Sequence, residues 1–139
     1  KMMEKFQEHH DDEEIQILSI QSESEDWEER LINISEEIDF FSNILGSGLK
    51  ETVSVAINKE DASYLKKQLE LINKANEFHL STFFDYKNKL EGLKECDDVQ
   101  CENFYLKDHL VFKTTLRKHF KDFRQLKVLI FKFLKVSFN

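Results

Sequence analysis

The sequence predicts an all-α protein, a long antiparallel three-helix bundle, on three observations. Its 139 residues contain no proline and only three glycines, so few residues break helices or form tight turns. Apolar residues recur at alternating steps of four and three, the spacing of coiled-coil helices, along three long stretches. Short polar segments separate these stretches. The length suits a single domain, and we expect the 13 phenylalanines to fill its core.

The first helix is predicted to begin after Ser22 and Ser24, where acidic residues follow a good N-cap. Its apolar stripe is Trp27, Leu31, Ile34, Ile38, Phe41 and Leu45. Gly46 and Gly48 then indicate a kink or a short break, beyond which residues 49–57 resume helical spacing out of phase. A true turn at these glycines would give a four-helix arrangement, which is the alternative to three long helices.

Two further helices complete the predicted bundle. Asn58 suits the cap of the second helix, which runs to about Lys94. Asp97 and Gln100 resemble a capping box that begins the third helix, which runs towards Phe138. The second apolar stripe is Leu65, Leu69, Ile72, Asn76, His79, Phe83, Tyr86, Leu90 and Leu93. The third is Tyr105, His109, Phe112, Leu116, His119, Phe123, Leu126, Ile130 and Phe133. Matched lengths joined by short turns favour an up-down-up arrangement.

Charge divides the chain into two regions. We predict an acidic arm at residues 1–24 and a helical bundle at residues 25–139, which form one domain. Residues 1–40 hold 14 acids against three bases, whereas residues 102–139 hold nine bases against three acids. This complementarity favours pairing within the chain or across a dimer. Binding of nucleic acid or a membrane surface by the basic third helix is the weaker alternative, because the acids would compete for it.

Two apolar patches indicate a protein partner. The end of the third helix is apolar around most of its circumference, so it needs cover on more than one side. A short apolar patch at residues 15–20 could supply that cover. The predicted interaction residues are Ile15, Ile17, Leu18 and Ile20 on one patch and Lys127, Phe131, Lys132 and Lys135 on the other. We expect a protein partner, either a different protein or a second copy in a homodimer.

Polar residues at core positions are the candidates for chemistry. His79, His109 and His119 are the candidate metal ligands, because imidazole binds metals and titrates near neutral pH. Helix geometry places His109 and His119 on either side of His79, each offset by roughly 7–8 Å along the bundle. We therefore expect core histidines bonded to carboxylates or hydroxyls, with a metal- or ligand-binding bundle as an alternative function. Asn76 is predicted to fix the helix register.

The sequence lacks the motifs of common enzyme classes. It has no Glu-x-x-His pair of a di-iron bundle, no phosphate-binding glycine loop and no nucleophile elbow. We predict no catalytic residue, no cofactor and a non-enzymatic interaction or structural module. Cys96 and Cys101 match no zinc-ligand spacing. We expect them to be reduced, because the lack of a secretory segment or membrane-length apolar run favours the cytoplasm.

Overall fold

The computed structural model describes residues 2–48 and 59–137, with side chains at 16–46 and 59–135, and consists of three long helices packed against one another. Helix α1 spans Met2–Asn43 and ends in a π-helical turn, Ile44–Gly48; helix α2 spans Lys59–Leu90 and ends in a 3-10 turn, Glu91–Glu95; helix α3 spans Val99–Ser137. The predicted all-α three-helix bundle is confirmed.

Helix α1 begins well before its predicted start. The start predicted after Ser22 and Ser24 is wrong, because the helix runs without interruption from Met2. Its apolar stripe continues backwards from Trp27 through Ser24 to Ile20, and both side chains are buried. Ser24 Oγ donates a hydrogen bond to the Ile20 carbonyl oxygen at 2.8 Å. This serine therefore bonds back to its own helix and does not cap it.

The predicted kink at Gly46 and Gly48 falls in the π-helical turn Ile44–Gly48. A π-helical turn is wider than an α-helical turn and changes the direction in which the following residues point. The helical spacing predicted at residues 49–57 and the predicted cap Asn58 lie outside the described residues.

The core is built from the apolar stripes that the sequence predicts, with the addition of Phe120, which lies outside the predicted third stripe. Its buried apolar side chains are Trp27, Leu31, Ile34, Ile38, Phe41 and Leu45 on α1, Leu65, Leu69, Phe83 and Tyr86 on α2, and Leu116, Phe120, Phe123, Leu126 and Ile130 on α3. Leu31, Leu69 and Leu116 are fully buried, one on each helix. Complete burial of one leucine stabilises a fold by roughly 2 kcal/mol.

The turn between α2 and α3 corrects two predictions. Asp98, and not Asp97, caps α3, because Asp98 Oδ1 accepts a hydrogen bond from the Cys101 backbone N–H at 2.8 Å. Cys96 and Cys101 form a disulfide, with their Cα atoms 5.5 Å apart, so the expectation of reduced thiols is wrong. The chain doubles back here and brings the two cysteines together. A β-carbon at Gly92 would overlap the Tyr105 hydroxyl group, so a larger residue there would require the end of the Tyr105 side chain to move.

Helices α1 and α3 run parallel, because each lies antiparallel to α2. Two ion pairs between α1 and α3 show the direction: Lys113 pairs with Glu23 at 2.8 Å and Lys127 with Glu37 at 3.0 Å. Both helices advance by fourteen residues from one pair to the next. The acidic start of α1 and the basic end of α3 are therefore at opposite ends of the bundle. The predicted pairing of the acidic and basic regions within the chain is therefore made by Glu23 with Lys113 and Glu37 with Lys127, whereas residues 15–20 lie too far away to cover the end of α3 in the same chain.

Candidate functional site

Asn76 is the centre of a buried hydrogen-bond layer that connects all three helices. Its side chain is fully buried. Asn76 Nδ2 donates to the Leu31 carbonyl oxygen at 3.0 Å and to the Ser35 hydroxyl oxygen at 3.3 Å, both on α1. His119 Nε2 on α3 donates to Asn76 Oδ1 at 2.9 Å. A shift of any one helix would leave some of these buried groups unpaired, which supports the predicted role of Asn76 in helix register.

His79 and His119 form a pair of neutral rings beside Asn76. Their ring centroids are 4.5 Å apart. Burial and the neighbouring His79, opposed by a smaller effect of Asp122, together lower the pKa of His119 to about 4. Burial also lowers the pKa of His79. Both rings are therefore uncharged at neutral pH; His119 contributes a hydrogen bond to Asn76, and His79 packs against the His119 ring.

A second polar layer lies nearer the turn between α2 and α3. His109 Nε2 donates to Glu23 Oε1 at 3.3 Å, and Lys113 Nζ pairs with the other oxygen of that carboxylate. Burial lowers the pKa of His109, which Glu23 opposes. In the neutral ring whose Nε2 carries the proton, Nδ1 accepts the hydrogen bond of the Tyr86 hydroxyl group. Trp27 stacks on His109, with ring centroids 4.7 Å apart.

The hydrogen bonds of this second layer connect its groups as in a proton relay, but the pKa values of the groups do not suit proton transfer near neutral pH. Burial raises the pKa of Tyr86, and the nearby carboxylates of Asp108 and Glu23 raise it further, so the hydroxyl group stays protonated. Burial would raise the pKa of Glu23, but hydrogen bonds from Lys113 and His109 outweigh it and the net shift is downward. None of these groups is poised to exchange a proton near pH 7. The layer therefore connects the helices as a chain of hydrogen bonds.

The three candidate metal ligands fall into these two separate layers. His79 and His119 share the first layer, whereas His109 is bonded to Tyr86 and Glu23 in the second. Ten residues of α3 separate His109 from His119, about 15 Å along the helix. Across residues 16–46 and 59–135, no group of three histidine, cysteine, aspartate or glutamate side chains is placed to hold a metal ion.

The apolar patch at the start of the bundle is only partly exposed. Ile20 is buried and lines a cavity of about 300 Å³ together with Leu90 and Leu93, next to the turn between α2 and α3. Leu18 is 63% exposed and Ile17 is half-buried. The side chain of Ile15 lies outside the described residues.

The second predicted patch lies at the other end of the bundle. Phe131 is exposed, with its ring edge against Phe41 at a centroid distance of 5.4 Å. Lys132 and Lys135 are exposed, whereas Lys127 pairs with Glu37. Both predicted interaction patches therefore have exposed members, although Ile20 is buried, and the structure does not bring the two patches together.

A groove between α1 and α3 collects cationic side chains from both helices. One cavity of about 620 Å³ is lined in part by Arg30, Lys113, Arg117 and Arg124. A second, of about 310 Å³, shares Arg30 and Arg124 and adds Lys127, so the two cavities adjoin along the groove. We call this groove, with these five cations, the basic groove. Aromatic side chains form its floor: Trp27, Phe120 and Phe123.

Two arginines of the basic groove have no charged partner among the described side chains. Glu23 and Glu37 pair with the two lysines, and Asp26 lies 4.0 Å from Arg30. In the part of the chain that the structure describes, Arg117 and Arg124 take part in no ion pair. They are seven residues apart on one side of α3, about 10 Å along the helix. Their guanidinium groups are the strongest candidates for binding an external anion.

Helix α2 carries a separate row of exposed apolar side chains. Tyr64, Leu71 and Phe78 follow one another at seven-residue spacing and are 57%, 54% and 64% exposed. We call this row the α2 outer stripe. It lies outside the core, because the core positions of α2 are the neighbouring Leu65, Leu69 and Phe83.

Sequence reasoning missed the bonds of Glu23 and the joint basic groove. Glu23 was assigned to the arm, so its partnership with His109 was not considered. The signal was present, because steps of four and three lead back from Trp27 through Ser24 to Ile20. The groove was missed for a different reason: the contribution of Arg30 from α1 follows only from the parallel arrangement of α1 and α3.

Comparison with protein-family models, with curated proteins and with solved structures finds no match for this chain. Among the described helices, none has an apolar run long enough to cross a membrane.

Proposed function

We propose that this chain is a non-enzymatic interaction module whose basic groove binds an acidic helical segment of a protein. The observation that carries this proposal is the pair Arg117 and Arg124, two unpaired guanidinium groups beside an aromatic floor. Guanidinium groups bind carboxylates through paired, charge-assisted hydrogen bonds. Their seven-residue spacing equals two helical turns, which matches carboxylates on one face of a second helix.

The charges of the groove favour a peptide over a nucleic acid. Glu23, Asp26 and Glu37 alternate with the cations along the groove. A nucleic-acid backbone carries a phosphate every few ångströms, so several phosphates would face these carboxylates. A helix can place its acids opposite Arg117 and Arg124 and its apolar side chains beside Arg30, whose guanidinium group already lies over the Phe120 ring. The buried histidines support an interaction role as well, since they are neutral and bonded within the core.

Binding of an acidic helical peptide tests the proposal. The probe is a fluorescein-labelled synthetic helix with glutamates at seven-residue spacing. It is titrated with the full chain carrying four substitutions that prevent competition by the chain's own acids: Asp11→Lys, Asp12→Lys, Glu13→Lys and Glu14→Lys. We expect a rise in fluorescence anisotropy that is suppressed by 0.5 M salt, since such charges are screened beyond a few ångströms.

Charge reversal locates the binding surface. Adding Arg117→Glu and Arg124→Glu should weaken binding at least tenfold. The matched control is Lys118→Glu with Lys121→Glu, which changes the net charge equally on exposed positions of α3 outside the groove lining. Equal loss with both pairs, or loss with neither, would show that the groove is not the binding surface.

The cellular compartment is a separate prediction with its own test. The cytoplasm was predicted from the sequence, whereas a bonded Cys96–Cys101 pair is typical of an oxidising compartment. Alkylation of thiols in intact cells, followed by mass spectrometry, measures the fraction of free Cys96 and Cys101. Two free thiols support the cytoplasm, and a protected pair contradicts it.

A further inference from the structure

We infer that the acidic helix bound in the basic groove belongs to a second copy of this chain, so that two molecules exchange their N-terminal helix ends. The inference rests on the proposed function and names its partner. The exchanged part is residues 4–14, here called the acidic segment, which holds six acids against one lysine.

The acidic segment cannot reach the groove of its own molecule. Glu23 of α1 faces Lys113, the first cation of the groove. Residue 14 precedes Glu23 by nine residues, about 13 Å, in the direction away from the rest of the groove. Because α1 is one continuous helix from Met2 to Asn43, the segment cannot fold back over the groove. If the acidic helix in the groove comes from this protein, it must therefore be the acidic segment of a second molecule.

The acids at the start of α1 cover a length comparable to that of the groove. Lys113 pairs with Glu23, so Val99, the first residue of α3 and fourteen residues before Lys113, lies level with about residue 9 of α1. Residues 2–8 of α1 therefore extend past the start of α3, by about 10 Å. The acidic segment spans ten residue steps, about 15 Å, and the groove from Lys113 to Lys127 spans about 21 Å.

A two-fold symmetric dimer satisfies both molecules at once. If residue 10 of one copy lies beside Arg30 of the other, with the α1 helices antiparallel, the two-fold axis crosses α1 near residue 20. Each acidic segment then lies in the partner's groove, as an isologous interface requires. The exposed Leu18 and half-buried Ile17 are next to this axis, where they can bury apolar surface against their own copies.

A charge-swap experiment tests the exchange. The groove variant carries Arg117→Glu and Arg124→Glu in the full chain, and the segment variant carries Asp11→Lys, Asp12→Lys, Glu13→Lys and Glu14→Lys. Each variant places like charges in both of its exchanged contacts, so each alone should have the monomer mass of 16.6 kDa. Mixed one to one, they place opposite charges in both contacts. Light scattering should then return the doubled mass of the unmodified chain, about 33 kDa.

The control and the contrary outcomes separate this inference from the proposed function. The variant with Lys118→Glu and Lys121→Glu should keep the doubled mass. A monomeric unmodified chain at 100 µM in low salt overturns the inference, as does a dimer that survives either variant or a mixture that stays monomeric. If the synthetic acidic peptide still binds the groove in those cases, the proposed function stands alone. Binding of a 20-base-pair DNA duplex that depends on Arg117 and Arg124 and dissociates the dimer overturns both.

Discussion

At the scale of single residues, Asn76 carries more of the fold's specificity than any apolar side chain beside it. A leucine at this position would fit a conventional helix interface, but it would be indifferent to small shifts of the helices. The Asn76 amide has hydrogen-bond partners on both α1 and α3. The helix register in which all of these bonds form is therefore favoured over shifted registers.

Replacement of Asn76 tests this role. Asn76→Leu leaves the His119 N–H buried without an acceptor, so we expect a loss of about 1–3 kcal/mol in the free energy of unfolding, measured in urea. The double variant Asn76→Leu with His119→Phe removes both partners and should recover most of that loss. Asn73→Ala is the control on the same helix, because Asn73 bonds only to an exposed Glu77; it should change stability by less than about 0.5 kcal/mol.

The buried histidines make stability depend on pH. The pKa values of His79, His109 and His119 are all lowered by folding, so the unfolded chain binds more protons than the folded chain as the pH falls below 6.5. Stability should therefore be fully present near pH 7 and decrease towards pH 4, by up to about 1.4 kcal/mol per pH unit for each histidine. Urea unfolding at pH 7, 6 and 5 measures this slope.

The variant His119→Gln measures the contribution of His119 to the pH dependence of stability. Glutamine retains an N–H that can donate to Asn76 Oδ1 but does not titrate, so the slope between pH 7 and 5 should decrease. An unchanged slope in this variant would show that His119 does not bind its proton differently in the folded and unfolded chain.

At the scale of the elements, the disulfide adds a constraint that helix packing does not supply. Cys96 and Cys101 close a short loop at the α2–α3 turn, for which the loss of chain entropy in the unfolded state corresponds to about 2 kcal/mol. We expect reductant to lower the free energy of unfolding of the unmodified chain by about this amount. The variant with Cys96→Ser and Cys101→Ser should be equally destabilised and insensitive to reductant. A purified chain with two alkylatable thiols would contradict the bond.

The two rows of apolar residues on α2 should respond differently to substitution. Leu69 is fully buried, so Leu69→Ala should cost about 2–5 kcal/mol. Leu71→Ser and Phe78→Ser in the α2 outer stripe should each stay within about 0.5 kcal/mol, because these side chains are more than half exposed. Thermal or urea unfolding compares them directly. If Leu71→Ser lowered the free energy of unfolding as much as Leu69→Ala does, the α2 outer stripe would have to be covered in the folded protein.

The apolar stripes of all three helices could be predicted because each depends only on local spacing. The α1 start could not, because Ser24 looks like an N-cap in sequence and only its bond to Ile20 shows otherwise. The cap of α3 was predicted one residue early for a related reason. Asp97 and Asp98 are both good caps, and the choice between them depends on how the chain enters the helix.

At the scale of the whole molecule, the direction of the helices decides how the charge asymmetry can be used. Acids near the start and bases near the end suggested pairing within one chain. In an up-down-up bundle the first and third helices are parallel, so the acidic start of α1 and the basic end of α3 lie at opposite ends, and charges pair only where the two helices are level. Among the described side chains, the pairs between α1 and α3 are Glu23 with Lys113 and His109, and Glu37 with Lys127. The remaining charges of the basic groove are available to a second molecule.

Zero-length carbodiimide cross-linking of an equal mixture of ¹⁴N- and ¹⁵N-labelled chain is the most direct test that one molecule's acidic segment occupies another's basic groove. Links between Glu23 and Lys113 and between Glu37 and Lys127 should appear within one isotope, as internal controls. The account predicts additional links from residues 4–14 to Lys113 or Lys127 that join ¹⁴N to ¹⁵N peptides. The control links without any such mixed-isotope link would contradict it.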